Sequence, residues 1–487
     1  MNGQFDHNGI WLNIERLAQH AVVQVFSQIG KFNWIEPYKI AEQFENRATG
    51  FFVNEYGYIV TNYHVIDQAK GIWIQMPGLG RKIIKTELVG CCPESDIALL
   101  KVSKEGLDEI RQKLGKVPFL SLGNSDIVRR TETVMVLGYP LGHHLIKSTI
   151  GVVSGRASTG GISLLQITAP INPGSSGGPI LTNFGSVAGI AVSTSLVAQN
   201  VGYAIPINEL KTIFDDLQKQ RLLRKPILGA LFHNSTIEQT KFLGNPEPAG
   251  FYIQKILKDS LLEKAGVVSG DMLYMFNGSR IDSYGEAQVP WSSDRVTLRD
   301  LISRLSVGDL VSIVVYSKGE KKELNFTLEP PPVYPIRTMF PGYEQEDIDY
   351  EVLGGMVIMQ LTNNHLPLLW NSNSDLFRYL KVENKVDPVL VITHILPGSY
   401  AHQIRCLLPG FTIKSVNGGL VSTLNDFRAA LRKSIDSDFL SLQMHNNTLA
   451  VFEFRAMLKD EETLAGSFAY PISSSISQLI NRISNKK

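Results

Sequence analysis

Cysteine is scarce: Cys91, Cys92 and Cys406 are the only three in 487 residues. Adjacent cysteines do not bridge each other easily, and an odd count leaves a thiol over. A disulfide framework is therefore excluded, and a reducing compartment is expected. There is no CxxC, no HExxH and no pair of histidines at helical spacing, so no metal is expected. No other cofactor is expected either. Charge of one sign is also lacking: 47 Lys and Arg face 46 Asp and Glu, for a net charge of +1. No global field then argues for nucleic acid or an acidic membrane as partner. No apolar run reaches the ~18 residues that would suggest a membrane span. Met1–Asn8 lacks the basic-then-apolar pattern of a leader. A cytoplasmic location is expected, with the periplasm or an organelle as the alternative if a leader has been removed.

What is present reads as globular protein, with 44% hydrophobic and 19% charged residues. The length suits about three domains at ~100–200 residues each. From about residue 12 to 220, short apolar runs such as Gly50-Phe-Phe-Val53, Tyr58-Ile-Val-Thr61 and Ile97–Val102 alternate with Gly, Asn and Asp. This pattern predicts an antiparallel β sandwich or barrel. Two helical exceptions are expected: Ile10–Gln28, running into a strand, and Ile207–Leu222, with Ile207, Leu210, Ile213, Phe214 and Leu217 at helical intervals.

An internal repeat organises the remainder. Gly266–Gly278 aligns with Cys406–Gly418 through Gly270/Gly410 and the Asn-Gly pairs 277–278 and 417–418. Ile256–Ser260 echoes Ile395–Ser399, and Thr297–Leu305 echoes Thr423–Leu431. Each copy reads as strand, short helix, turn, strand, hairpin, helix and strand. Pro330–Pro332 separates the two copies.

The densest chemistry lies in Ile171-Asn-Pro-Gly-Ser-Ser176-Gly-Gly-Pro179. Glycines beside a serine allow a tight turn that aims amide N–H groups at a reacting carbonyl. Gly174-x-Ser176-x-Gly178 also fits the nucleophile elbow of α/β-hydrolases, but that fold runs Ser, acid, His with a helix directly after the serine. Here the order is His64, Asp96, Ser176, the chymotrypsin order, and strand and turn follow the serine. In that arrangement His64 takes the Ser176 proton, Asp96 holds the imidazole, and backbone N–H groups at Gly174, Ser175 and Ser176 hold the oxyanion. Each residue alone has a plainer reading: His64 a strand end, Asp96 a turn terminus, Ser176 a loop or anion nest. Their joint order favours the catalytic one.

These motifs together resemble the HtrA/Deg serine proteases. Gly57-Tyr-Ile-Val-Thr-Asn-Tyr-His64-Val is similar to that family's histidine motif, Ser95-Asp96-Ile-Ala-Leu-Leu to its aspartate motif, and Asn172–Pro179 to its serine motif. Ser121–Asp126, Leu137–Gly142, Gly151–Gly155 and Gly202–Pro206 match further landmarks, and the repeated modules resemble PDZ domains. Trp34–Tyr38 and Gln288–Trp291 resemble the longer two-PDZ Deg branch. The resemblance implies a mainly β fold: a chymotrypsin-like double β-barrel over 12–222, a PDZ domain over 226–330, a linker over 331–349, a PDZ-like domain over 350–460 and a C-terminal tail over 461–487. It implies an ATP-independent endopeptidase for misfolded or unfolded chains. Ile171, Ser193, Thr194 and Ser195 would line the S1 pocket, and Leu228, Gly229, Ala230 and Leu231 would form the carboxylate loop of the first PDZ for C-terminal peptides. A homotrimer or higher oligomer is implied as well. Three departures stand out: Ser175 where the family usually has Asn, Thr168 where it commonly has Asp, and a second PDZ that matches poorly before Val389. The competing reading is a proteolytically silent PDZ scaffold or chaperone; a dedicated acyl esterase is opposed by the two modules.

Overall fold

The structure is a computed structural model and describes residues 7–159, 162–192, 201–343 and 347–484. Two compact units emerge: residues 1–30 with 43–332, and residues 31–42 with 333–487.

The first unit opens with helix α1 (His7–Ala18), which runs into strand β1 (Val22–Lys31) as the apolar spacing predicts. Strands β2 (Glu42–Phe52), β3 (Tyr58–Thr61), β4 (Ala69–Gln75), β5 (Ile84–Cys92) and β6 (Ile97–Val102) follow, with the single turn of helix α2 (Tyr63–Ile66) after β3. They close a barrel in the order β1-β2-β3-β6-β5-β4. Helix α3 (Lys104–Leu114) starts at Ser103, whose hydroxyl accepts the Gly106 N–H and so satisfies an otherwise orphan donor. Strands β7 (Thr133–Gly138), β8 (Lys147–Thr159), β9 (Ile162–Ile167), β10 (Pro179–Thr182), β11 (Val187–Val192) and β12 (Gly202–Pro206) close a second barrel. Helix α4 (Ile207–Lys219) buries Ile207, Leu210, Ile213 and Leu217, the stripe its spacing predicts. Those residues share one core with Phe51, Val60 and Leu99 of the first barrel and Leu181 and Ile190 of the second.

The first repeat is built on a sheet in the order Ala230–His233, Phe251–Ile256, Met272–Phe276, Leu310–Ser317, Glu320–Thr327. It is held to the second barrel by Arg304, whose guanidinium donates to both oxygens of Asp126 at 2.6 and 2.9 Å. The same guanidinium lies over the Trp291 ring, and Arg156 of β8 flanks that ring at 5.4 Å. Arg304 holds the Asp126 carboxyl below its usual range, against the upward push of burial.

The second repeat repeats the first down to its caps. Helices Leu298–Ser303 and Leu424–Lys433 both begin with capping boxes, Thr297/Asp300 and Thr423/Asp426. Asn277 and Asn417 both take the left-handed conformation, at φ 45° and 44°. Each side-chain oxygen accepts a backbone N–H of a neighbouring strand, from Ser312 and Ser441. Within the expected tail, residues 461–468 continue helix Phe454–Phe468, and Ser474–Ser484 forms a further helix that buries Ile476 and Leu479 in this unit's core. Amphipathic spacing, not chain position, decides that. Parts of the expected linker are also packed, with Ile336 and Met339 buried. Residues 31–42 belong here too, and Trp34 meets His365 edge to face.

Candidate active site

β3 and β6 pair antiparallel with Thr61 opposite Ala98, so the residues just beyond these ends, His64 and Asp96, emerge at one rim of the barrel. Asp96 is left-handed at φ 51°, a conformation that aspartate tolerates better than most residues. Its two carboxylate oxygens hold His64 at two points: Oδ1 accepts the backbone N–H at 2.9 Å, and Oδ2 meets Nδ1 at 2.8 Å. The Asp96 carbonyl accepts the Tyr63 N–H and the Asn62 side-chain amide, both at 3.1 Å. An ionised carboxylate only accepts, so Nδ1 carries the proton and Nε2 is left as the basic nitrogen.

The serine turn belongs to the second barrel but is tied to the first. Thr49 N–H on β2 donates to the Ser176 carbonyl at 2.9 Å, and Thr61 Oγ1, three residues before His64, donates to the Thr49 carbonyl at 2.8 Å. Gly177, at φ 84°, fits only because it lacks a Cβ, which would lie 2.1 Å from the Thr49 oxygen and 2.4 Å from Thr61 Oγ1. The turn and the His64 segment are thus brought to one rim. Gly174, at φ 94°, has an N–H with no hydrogen-bond partner among the described residues. The Ser175 N–H, expected to face an oxyanion, is instead committed to the Asn172 carbonyl at 2.9 Å, because it closes the tight turn.

Of the expected S1 residues, Ile171 is half-buried against a cluster containing Ala169, Ala191 and Ala204. Ser193, Thr194 and Ser195 lie outside the described residues. Thr168, at the family's Asp position, pairs with β8: its N–H donates to the Val152 carbonyl and its hydroxyl accepts the Val152 N–H, both at 2.9 Å.

In the first repeat only Leu228 and Gly229 of the expected Leu228–Leu231 loop lie outside a strand; Ala230 and Leu231 open Ala230–His233, an edge strand of its sheet. The Leu228 and Gly229 carbonyls accept the N–H groups of Leu262 and Leu257. In the second repeat the Gly354 and Gly355 carbonyls accept those of Ala401 and Leu396 in the same way, which equates the two loops. There, however, strand Tyr350–Leu353 already pairs with Met356–Gln360.

The description "Trypsin-like peptidase domain" matches residues 48–190, and "PDZ domain" matches residues 342–478. The first match contains His64, Asp96 and Ser176 within two six-stranded barrels. The chain is a trypsin-like serine endopeptidase.

The peptidase is 28% identical over 397 residues to a probable periplasmic serine endoprotease DegP-like of Marinomonas sp. (strain MWYL1), covering 80% of this chain and 74% of the relative. It is 31% identical over 291 residues to the serine protease Do-like HtrB of Bacillus subtilis (strain 168), covering 56% and 59%. The solved HtrA-type protease AlgW with tripeptide superposes with a TM-score of 0.51 at 25% identity, over 66% of this chain and 98% of that one. The homologues of this PDZ-bearing peptidase are thus of the DegP/HtrA kind. The expectation of a cytoplasmic location is overturned, since the Marinomonas relative and a Chlamydia trachomatis one are named as periplasmic. The cysteine signal misled for a physical reason. Cys91 and Cys92 are buried, which pushes their thiols up to about 12 and about 11, so their free state does not report the redox compartment.

Proposed function

We propose that the peptidase degrades misfolded or unfolded polypeptides without ATP, with Ser176 as nucleophile, His64 as general base and Asp96 as the orienting acid. The observation that carries this reading is the two-point hold of Asp96 on His64, which leaves Nε2 as proton acceptor. Ser176 Oγ attacks the scissile carbonyl as Nε2 takes its proton, and the N–H groups of Gly174 and Ser176 receive the oxyanion. His64 then returns the proton to the leaving amine, and water hydrolyses the acyl-enzyme by the same steps in reverse. The residues assigned to S1, Ile171, Ser193, Thr194 and Ser195, include no carboxylate, which favours small or medium apolar P1 side chains; such pockets discriminate by only ~1–3 kcal/mol per methylene. Broad cleavage of unfolded chains follows.

The first module takes C-terminal peptides as an added strand on Ala230–His233, with the carboxylate at Leu228–Leu231. Trp34–Tyr38, Gln288–Trp291 and the two repeats support assignment to the two-PDZ Deg branch, with the domain limits given above and assembly as a homotrimer or higher oligomer. The deciding experiment compares wild type with Ser176→Ala on a reduced, unfolded protein substrate. Wild-type degradation with loss in the variant is expected; equal degradation by both refutes the assignment, and equal rates on folded and denatured substrate refute the specificity.

A further inference from the structure

Glycines at 174 and 177 make the serine turn compact, but they also let its peptide planes rotate at little cost. Gly174 is the critical position, because its N–H points at an oxyanion only while the planes on either side of it are held. Both are held from outside the turn. The Pro173 carbonyl accepts the Leu141 N–H at 2.7 Å, which fixes the plane bearing the Gly174 N–H. Leu141 is itself left-handed at φ 54°. The Gly174 carbonyl accepts the Thr49 hydroxyl at 2.7 Å, which fixes the next plane.

Thr49 is fully buried and spends every polar atom on this region. Its Oγ1 also accepts the Tyr139 N–H at 2.9 Å, so one hydroxyl spans the serine turn and the end of β7. Its N–H holds the Ser176 carbonyl and its carbonyl holds Thr61 Oγ1. A single β2 residue of the first barrel thus grips a catalytic turn of the second, about 125 residues away in sequence.

We propose that Thr49 is a positioning residue for the oxyanion site: its hydroxyl keeps the Gly174 N–H preset, so that the donor need not reorient as the tetrahedral intermediate forms. The inference rests on the reading of Ser176 as nucleophile. Preset donors act only on charge that develops in the transition state, so the hydroxyl affects kcat and not substrate binding.

The test uses the full chain with Thr49→Val, which keeps the shape and removes the hydroxyl, and Thr49→Ser, which keeps the hydroxyl. Loss of a whole oxyanion donor lowers rate by about 10²–10³, so loosening one is expected to lower kcat about 10- to 100-fold. KM for an unfolded substrate is expected to stay within about 2-fold, and affinity for a peptide aldehyde, which forms a tetrahedral adduct, to fall by the same factor as kcat. Thr49→Ser is expected to restore kcat to within about 3-fold of wild type. Should Thr49→Val fail to fold, Thr49→Cys serves in its place; its thiol is a weaker donor than a hydroxyl, so kcat is expected below that of Thr49→Ser and at least about 5-fold below wild type. Unchanged kcat in a folded variant lacking the hydroxyl overturns the proposal, as does an equal loss in Thr49→Ser. If wild type and Ser176→Ala behave alike, it is the nucleophile assignment that fails, which separates the two outcomes.

Discussion

The carboxylate of Glu461 accepts the N–H of Gly354 at 2.8 Å, in a fully buried setting. Gly354 sits in the loop that corresponds to Leu228–Gly229 of the first module, where a ligand's terminal carboxylate would meet backbone N–H groups. In the second module an internal carboxylate meets that loop. The counterpart of the open edge strand Ala230–His233 is also paired, to Tyr350–Leu353, and Arg428 holds that strand by the Tyr350 carbonyl at 2.9 Å and by Asp349.

One peptide site per chain is therefore expected, at the first module. Titration of the full chain with a peptide ending in a free carboxylate should saturate at one equivalent, and the amidated peptide should bind at least 10-fold more weakly. Gly229→Val should abolish binding, because a Cβ there lies 2.2 Å from the Ser260 Cβ and φ is 78°. A second equivalent, or binding that survives Gly229→Val, would count against this.

Glu461 also sets a pH dependence. Burial raises its carboxyl from 4.5 to about 7, against the pull of the Tyr470 hydroxyl at 2.6 Å and the Gly354 N–H. Burial raises Glu351 in the same direction, although Arg428 and Ser473 donate to it. The folded state therefore binds protons more tightly than the unfolded one. The associated stability is fully present below about 4.5 and is lost as pH rises through about 7, by up to roughly 3 kcal/mol for Glu461. Urea midpoints of wild type should fall between pH 5 and pH 8 by more than those of Glu461→Gln; parallel slopes would refute the assignment.

Within the proposed triad, the roles assigned to Ser176, His64 and Asp96 predict distinct losses. Ser176→Ala and His64→Ala should each lower kcat by about 10⁴-fold or more, and the double variant should lose little beyond either single one, because the residues act as a unit. Asp96→Asn should keep the fold yet cost about 10⁴-fold, since an amide no longer enforces the Nδ1–H tautomer. Steady-state kinetics with additive losses would argue against a shared mechanism.

The thiols offer a chemical check. Cys91 and Cys92 are buried with raised pKa values, whereas Cys406 is exposed. Native protein should take up one equivalent of a thiol reagent rapidly at pH 7.5, and three after unfolding. Rapid reaction of two or three thiols in the native state would contradict the burial.

Local chemistry was readable from the residues themselves. The order of His64, Asp96 and Ser176 is read directly along the chain, and the glycines at 174 and 177 and the stripe of α4 depend on spacing over a few residues, where side-chain type and backbone preference coincide. The repeat was readable for the same reason, since Asn277-Gly278 and Asn417-Gly418 impose the same left-handed turn. Thr49 was not readable, because a threonine in a strand carries no local sign of what its hydroxyl will meet. Its one local mark, a hydroxyl just before Gly50-Phe-Phe, is common to many strands. Glu461 was equally silent: in sequence it is one of several adjacent charged residues at the start of an expected tail.

By itself, then, the sequence determined the fold class, the reactive residue types and the doubling of the small module. Tertiary structure alone decided what holds them. It brought β2 against the serine turn, packed residues 454–484 into the second unit, and set an internal carboxylate on the Gly354 loop. Those contacts join residues about a hundred apart, so no local preference encodes them; they exist because closing two barrels and burying apolar helix faces leaves their polar groups no other partners.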